Sequence, residues 1–291
     1  MKRNTDKNVT FDGNHVVEAD PDITPTGHQI PEGNHCRGAG SRRFPIENII
    51  DRGYALAVSS YHDFFLDNVS GWKESIYTLF FSQEELSLRL PDYTAIGAWS
   101  WGNSRMLDYL ETVPEIDADK AIVYGHSRLG KTALWTGARD ERFKLACVND
   151  SGHGGAALSR RLFGETLYSM MGHVNQFSFW FCDKLNEYAA TPEKLPIDQH
   201  ELIALVAPRA VAVHSATLDL WADPDSEFLS AYHAGPVFRL FGLDTIKDIV
   251  PPPAETPVGG HLSYFKRTGE HDILAADFSH YMDCADMIFG R

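Results

Sequence analysis

The chain has 291 residues, 43% of them hydrophobic and 12% aromatic, and a formal net charge of −14. This is apolar material enough for one large core, and the charged fraction of 23% is ordinary for a folded protein. The acidity argues against a sequence-independent grip on nucleic acid or an anionic membrane, although a few local cations can still dominate one pocket and suit it to an acidic substrate.

Residues 1–45 are polar and rich in Gly, Pro, Asn and His. The opening MKRNTDKNVTFDGNH has two early cations but no apolar stretch, so as it stands it is not a secretory signal. No apolar run approaches the roughly 20 residues of a membrane span. Pro45 starts a short helix predicted over 45–52. Ala55 to Ser60 reads as a strand, and 62–90 as an irregular excursion with aromatic clusters. From Thr94 to Leu110, Ile96, Trp99, Met106, Leu107 and Leu110 recur at helical spacing. Asp117-Ala118-Asp119 then turns into the apolar run Ala121–Tyr124. A helix over 131–138 leads to a strand at Leu145–Val148. Residues 151–195 form a long insertion with some helix, and Ile197–Leu205 is a helix. Ala210–Ser215 is an apolar strand of the kind a parallel sheet buries on both faces. Helices over about 225–241 and 274–289 close the chain. Strands alternating with helices predict an α/β fold, a three-layer αβα sandwich around a mostly parallel, twisted sheet, with 1–291 as a single domain.

Four cysteines (Cys36, Cys147, Cys182, Cys284) lie far apart and lack metal-ligand spacing. Cys147 and Cys182 sit in apolar surroundings and are expected to pack as small hydrophobes.

The stretch AIVYGHSRLGK at 121–131 carries the chemistry. A serine between glycines, after a strand and before a helix, is the setting of a nucleophile elbow. The tight turn lifts the hydroxyl clear of the backbone, beside a helix N-terminus that favours developing negative charge. The second glycine, Gly130, stands three residues after Ser127 rather than two, so the plain G-x-S-x-G pattern is missed by one. Arg128 and Lys131 add specificity beyond a bare G-x-S.

This run resembles the G-C-S-R-x-G-K signature of the glucuronoyl esterases, carbohydrate esterase family 15, with His126 where the signature has cysteine. Asn149-Asp150-Ser151-Gly152, Gly154 to Arg161, Phe179 to Cys182, Leu195 to His200, Ala207-Pro208-Arg209, Asp219 to Pro224 and Gly269 to Asp272 are similar to further family segments. The resemblance covers most of 10–291, is nearest the bacterial branch, and implies an α/β-hydrolase fold. Members of the family carry more chain before the position of Gly13-Asn14-His15, including the first strands of the sheet and often an export signal. On that comparison this sequence is short at its N-terminus, with an open sheet edge expected. A secreted or periplasmic location is expected only of a longer native N-terminus.

The resemblance implies a serine esterase needing no metal or organic cofactor. Ser127 is the expected nucleophile and His271, between the last strand and the last helix, the expected base. His261, in Gly259-Gly260-His261, is the rival. Asp219, after the strand AVAVHS, is favoured as the orienting acid; Asp150 is the alternative, at a place where many glucuronoyl esterases have glutamate. Arg128 is expected to aim its guanidinium at the oxyanion beside its own backbone N–H. Lys131, Glu165, Trp221 and Gln176 match sugar-contacting positions, with Trp221 offering an apolar ring face. Phe177, Phe179, Trp180 and Phe181 read as core, and Arg160 and Arg161 as structural partners of Asp150 or its neighbours. The implied partner is a uronic-acid-bearing polysaccharide or its lignin ester, met by a monomer. The implied reaction is hydrolysis of an ester of (4-O-methyl)glucuronic acid. An acetyl or other carboxylesterase on the same scaffold, and a non-catalytic carbohydrate-binding or defective chain, are the alternatives.

Overall fold

The computed structural model describes residues 43–88, 93–171 and 177–291, and the backbone of two short antiparallel strands, β1 (Thr10–Asp12) and β2 (His15–Val17). The main sheet consists of β3 (Ile122–His126), β4 (Leu145–Asn149), β5 (Ala210–Ala216), β6 (Val258–Gly259) and β7 (Leu262–Arg267). Its order is β3-β4-β5-β7-β6; all neighbours run parallel except β6, which pairs antiparallel with β7 at one edge. The helices are α1 (Ile46–Asp51), α2 (Gln83–Ser87), α3 (Ala95–Leu110), α4 (Arg128–Arg139), α5 (Leu167–Met170), α6 (Gln199–Ala204), α7 (Pro224–Leu240) and α8 (Ala275–Phe289).

Strand alternation explains the layers. Successive side chains of a strand point to opposite faces. On one face Val148, Val211 and Val213 pack with Leu134 of α4, Ile203 of α6, and Phe228 and Phe238 of α7. On the other, Leu145, Cys147, Ala210 and Ala212 pack with Ile49 of α1 and with Phe278, Tyr281 and Met282 of α8. β4 and β5 are buried along their whole length. The fold is thus a three-layer sandwich, and apolar residues at every position of the central strands follow from cover on both faces. A third cluster, built on Phe65, Trp99, Phe179 and Trp180, fastens the excursion over 61–81 and the insertion to α3.

Local chemistry sets the boundaries. Thr94 caps α3, its side chain accepting the Gly97 N–H at 3.0 Å. Asp198 and Glu201 form a capping box on α6, so that helix runs Gln199–Ala204, inside the predicted 197–205. The helix after the elbow begins at Arg128, directly after the serine, rather than at 131. One expectation is corrected. Residues 55–60 belong to no strand: Leu56 packs by its side chain against the cluster that holds Ile122 and Tyr124, and no ladder hydrogen bonds join it to the described residues. Alternating burial imitates the strand pattern there. Cys147, Cys182 and Cys284 are free thiols, Cys147 fully buried; Cys36 lies outside the described residues.

Candidate active site

The C-terminal ends of β3, β4, β5 and β7 converge, as parallel register requires, and each delivers a polar residue. At the end of β3, Ser127 adopts φ 58° and ψ −127°, a conformation disfavoured for residues with a Cβ. The turn is possible because the residues two before and three after the serine lack side chains. A Cβ on Gly125 would stand 1.9 Å from the Leu129 carbonyl oxygen, and one on Gly130 would stand 2.8 Å from that of Asn149. Gly130 therefore serves the close passage of α4 over β4, which is why the second glycine falls at serine plus three. Ser127 N–H donates to the Asn149 carbonyl at 2.9 Å, tying the elbow to β4.

His271 and Asp219 meet across the loops after β7 and β5. The imidazole Nδ1 lies 2.5 Å from Asp219 Oδ2. A buried carboxylate accepting there places the proton on Nδ1 and leaves Nε2 with a lone pair. The Asp219 side chain is 4% exposed and that of His271 43%. Asp150, at the end of β4, joins them: ligand-type atoms of Asp150, Asp219 and His271 all lie within 4.8 Å of one another. Asp150 Oδ2 accepts the Asp272 N–H at 3.3 Å. Burial, reinforced by Glu227 and Asp219, pushes the Asp150 carboxyl well above the usual carboxylate range. Its cation is Arg267, 3.6 Å away. Arg160 and Arg161 do not reach it; they pair with Asp198 and Asp223. His261 is far from this cluster. It precedes Leu262, which is in register with Val211 at the opposite end of the sheet, so the six residues of β7 separate it from His271 by about 20 Å.

Arg128 forms an ion pair with Asp67, and its guanidinium lies over the Trp180 ring, 4.9 Å from the centroid. Trp180 completes the set by donating its indole N–H to Asp67 Oδ1 at 2.7 Å. Trp180 is core, as read from sequence, yet it also braces a charge. Lys131 is 2% exposed. Its ammonium donates to the carbonyls of Ser151 (2.6 Å) and His153 (2.8 Å) and to Glu165 Oε2 (2.7 Å), which engages all three donors. The Glu165 N–H donates to the Trp221 carbonyl at 2.7 Å, so the insertion and the Asp219 loop share an edge. Trp221 is 47% exposed. Gln176 lies outside the described residues.

A family model described as glucuronyl esterase, fungi, matches residues 49–242. This chain belongs to the glucuronoyl esterase family. It is 38% identical over 289 residues to a carbohydrate esterase from an unknown prokaryotic organism, covering 96% of this chain and 66% of that protein. It is 36% identical over 159 residues to 4-O-methyl-glucuronoyl methylesterase 1 of Phanerochaete chrysosporium, covering 52% of this chain and 33% of that protein. Among solved structures, a glucuronoyl esterase from Solibacter usitatus superposes with a TM-score of 0.84 at 37% identity, over 97% of this chain and 73% of that one. A promiscuous family 15 esterase from a marine bacterial metagenome superposes with a TM-score of 0.81 at 37% identity, over 96% and 72%. The α/β-hydrolase fold is thereby shared.

Three residues of this glucuronoyl esterase family member escaped the sequence reading, and a fourth, His126, was read only as a departure from the signature. Asp67 holds Arg128 from 61 residues away. Glu227, wholly buried on α7, accepts from Ser151 N–H and Oγ–H, Gly152 N–H and Ser215 Oγ–H at 2.6–3.0 Å. Burial pushes it up to about 7 in spite of those donors. Arg267 gathers the loop around His271. His126 lies against the His271 ring, centroids 4.4 Å apart, and bonds Asn149 Oδ1 through Nδ1 at 2.6 Å. Burial, then electrostatic repulsion from the neighbouring His271 imidazole, pull His126 down to about 3. Apart from the bonds of Arg267 to Glu270 and Asp272, three and five positions on, these contacts join residues at least 12 positions apart.

Proposed function

We propose that the chain is a serine esterase that hydrolyses esters of (4-O-methyl)glucuronic acid, as found between glucuronoxylan and lignin alcohols. The observation that carries this reading is the 2.5 Å bond between His271 Nδ1 and Asp219, on the loop after β5, in a chain whose β3 ends in a strained serine elbow. In this reading Ser127 attacks the C6 carbonyl as His271 Nε2 takes its proton. The first backbone N–H groups of α4 and the braced Arg128 guanidinium stabilise the oxyanion. His271 returns the proton to the leaving alcohol, and water then releases the acid from the glucuronoyl–serine intermediate. Glu165, held by Lys131, and the exposed Trp221 border the sugar side. Support for the substrate class comes from the names of the fungal and bacterial relatives.

Asp219 orients the imidazole, and Asp150 steadies the loop by accepting the Asp272 N–H. Hydrolysis of benzyl glucuronate by folded Asp219→Asn and Asp150→Asn variants tests this division. Loss of the tautomer-fixing carboxylate predicts a fall in kcat of about 10⁴ for Asp219→Asn and a much smaller fall for Asp150→Asn. The reverse order would transfer the role to Asp150.

A further inference from the structure

We infer that Arg267 is a positioning residue that fixes the height and tilt of the His271 loop, an inference that rests on the esterase reading above. Arg267 ends β7, four residues before His271, and is 4% exposed. Its guanidinium donates to the carbonyls of Thr268 at 3.3 Å, Glu270 at 2.9 Å and Asp272 at 2.8 Å, acceptors on both sides of His271. Nε donates to Asp277 Oδ2 at 3.2 Å, in the first turn of α8, and Nη2 lies 3.6 Å from Asp150 Oδ2. One planar fork thus ties the strand, the loop, the next helix and β4 to a common point. The loop is wrapped closely around it. Gly269 adopts φ 131°, and a Cβ there would stand 2.7 Å from Nη1. Asp277 is itself held in place. It accepts from Leu274 N–H at 2.9 Å and lies 3.2 Å from His214 Nδ1.

The chemistry of the side chain matters. A buried cation needs compensating charge and saturated donors; Asp277 supplies the charge and, with the three carbonyls, occupies the donors. Lysine would keep the charge but offers one nitrogen where Arg267 uses three, so it could not serve Asp277 through Nε, Thr268 through Nη1 and the Glu270 and Asp272 carbonyls through Nη2 at once. His271 has 43% of its side chain exposed and only one described hydrogen bond, to Asp219. Its orientation therefore depends on the backbone that carries it, and displacement of an attacking pair by about 1 Å can cost about 100-fold in rate.

The test is the rate at which a fluorophosphonate labels Ser127, which reports the base-activated serine whatever ester the protein cleaves, measured beside kcat and KM on benzyl glucuronate. For Arg267→Gln and Arg267→Lys, shown to be folded by circular dichroism, labelling and kcat should fall by about 100-fold, with KM changed less than about threefold. Lysine should restore no more than about a tenth of the rate. Labelling of either variant within about threefold of wild type would overturn the inference. If neither variant folds, the isosteric Asp277→Asn loosens the guanidinium from behind and should slow labelling about tenfold; an unchanged rate would overturn the inference equally. A wild type that labels but does not cleave the glucuronate would refute the substrate reading and leave the Arg267 comparison standing. A wild type that does neither would refute both.

Discussion

At the scale of single residues, the site stores strain where the chemistry needs it. Ser127 sits at φ 58°, a region where a Cβ costs about 1–3 kcal/mol. Its N–H bond to Asn149 and the missing side chains at 125 and 130 hold it there. Ser127→Gly should therefore remove the hydroxyl and relieve the strain together. We expect no detectable hydrolysis from this variant and a melting temperature a few degrees above wild type. A lower melting temperature would mean that the serine side chain contributes packing that outweighs its backbone strain. Lys131 illustrates the opposite economy of contacts. Its three donors are all engaged within the protein, so truncating it would leave Glu165 as an unpaired buried carboxylate.

At the scale of elements, the elbow is the junction of β3, α4 and β4, and its tolerance is set by backbone rather than by side chains. A methyl group on Gly125 would overlap the Leu129 carbonyl at 1.9 Å, an atom that cannot move without unwinding the first turn of α4. Gly125→Ala is expected to destabilise the fold by about 3 kcal/mol or more by urea denaturation. A loss below about 1 kcal/mol would show that α4 can slide on β4. The elbow was legible in sequence because it is local: a strand, two glycines, a serine and a helix in eleven residues. β4 and β5 were legible because apolar residues at every position have few other uses. Residues 55–60 misled, since alternating burial is also produced by an extended segment that packs through its side chains. The contacts of Asp67, Glu227 and Arg267 with Arg128, Ser151 and Asp150 were illegible. A buried polar network has no periodicity, and these partners lie 61 to 117 positions apart. Which of Asp219 and Asp150 bonds the imidazole was illegible too, since both follow strands that end beside His271.

At the scale of the whole molecule, buried titratable groups around the site bind stability to pH. His126 is held neutral down to about 3, against 6.5 when exposed. Between those values the unfolded chain binds the proton that the folded one refuses. The stability this neutral ring contributes is present above pH 6.5 and is lost as pH falls toward 3. Glu227, raised to about 7 from 4.5, acts in the other direction: its contribution is full below pH 4.5 and is lost as pH rises through 7. Relative to His126→Gln, the wild type should lose on the order of 4 kcal/mol at most between pH 6.5 and 3, read from urea unfolding at a series of pH values. Parallel curves for the two proteins would show that the ring is charged in the folded state. The activity itself, however, is decided by the ester and not by the fold. The most direct measurement is hydrolysis of benzyl glucuronate beside para-nitrophenyl acetate, with Ser127→Ala as the control. A glucuronoyl esterase should show serine-dependent release of benzyl alcohol with little turnover of the acetate. Acetate turnover without glucuronate cleavage would contradict this reading and identify a general carboxylesterase, and glucuronate cleavage surviving in folded Ser127→Ala would contradict the mechanism itself.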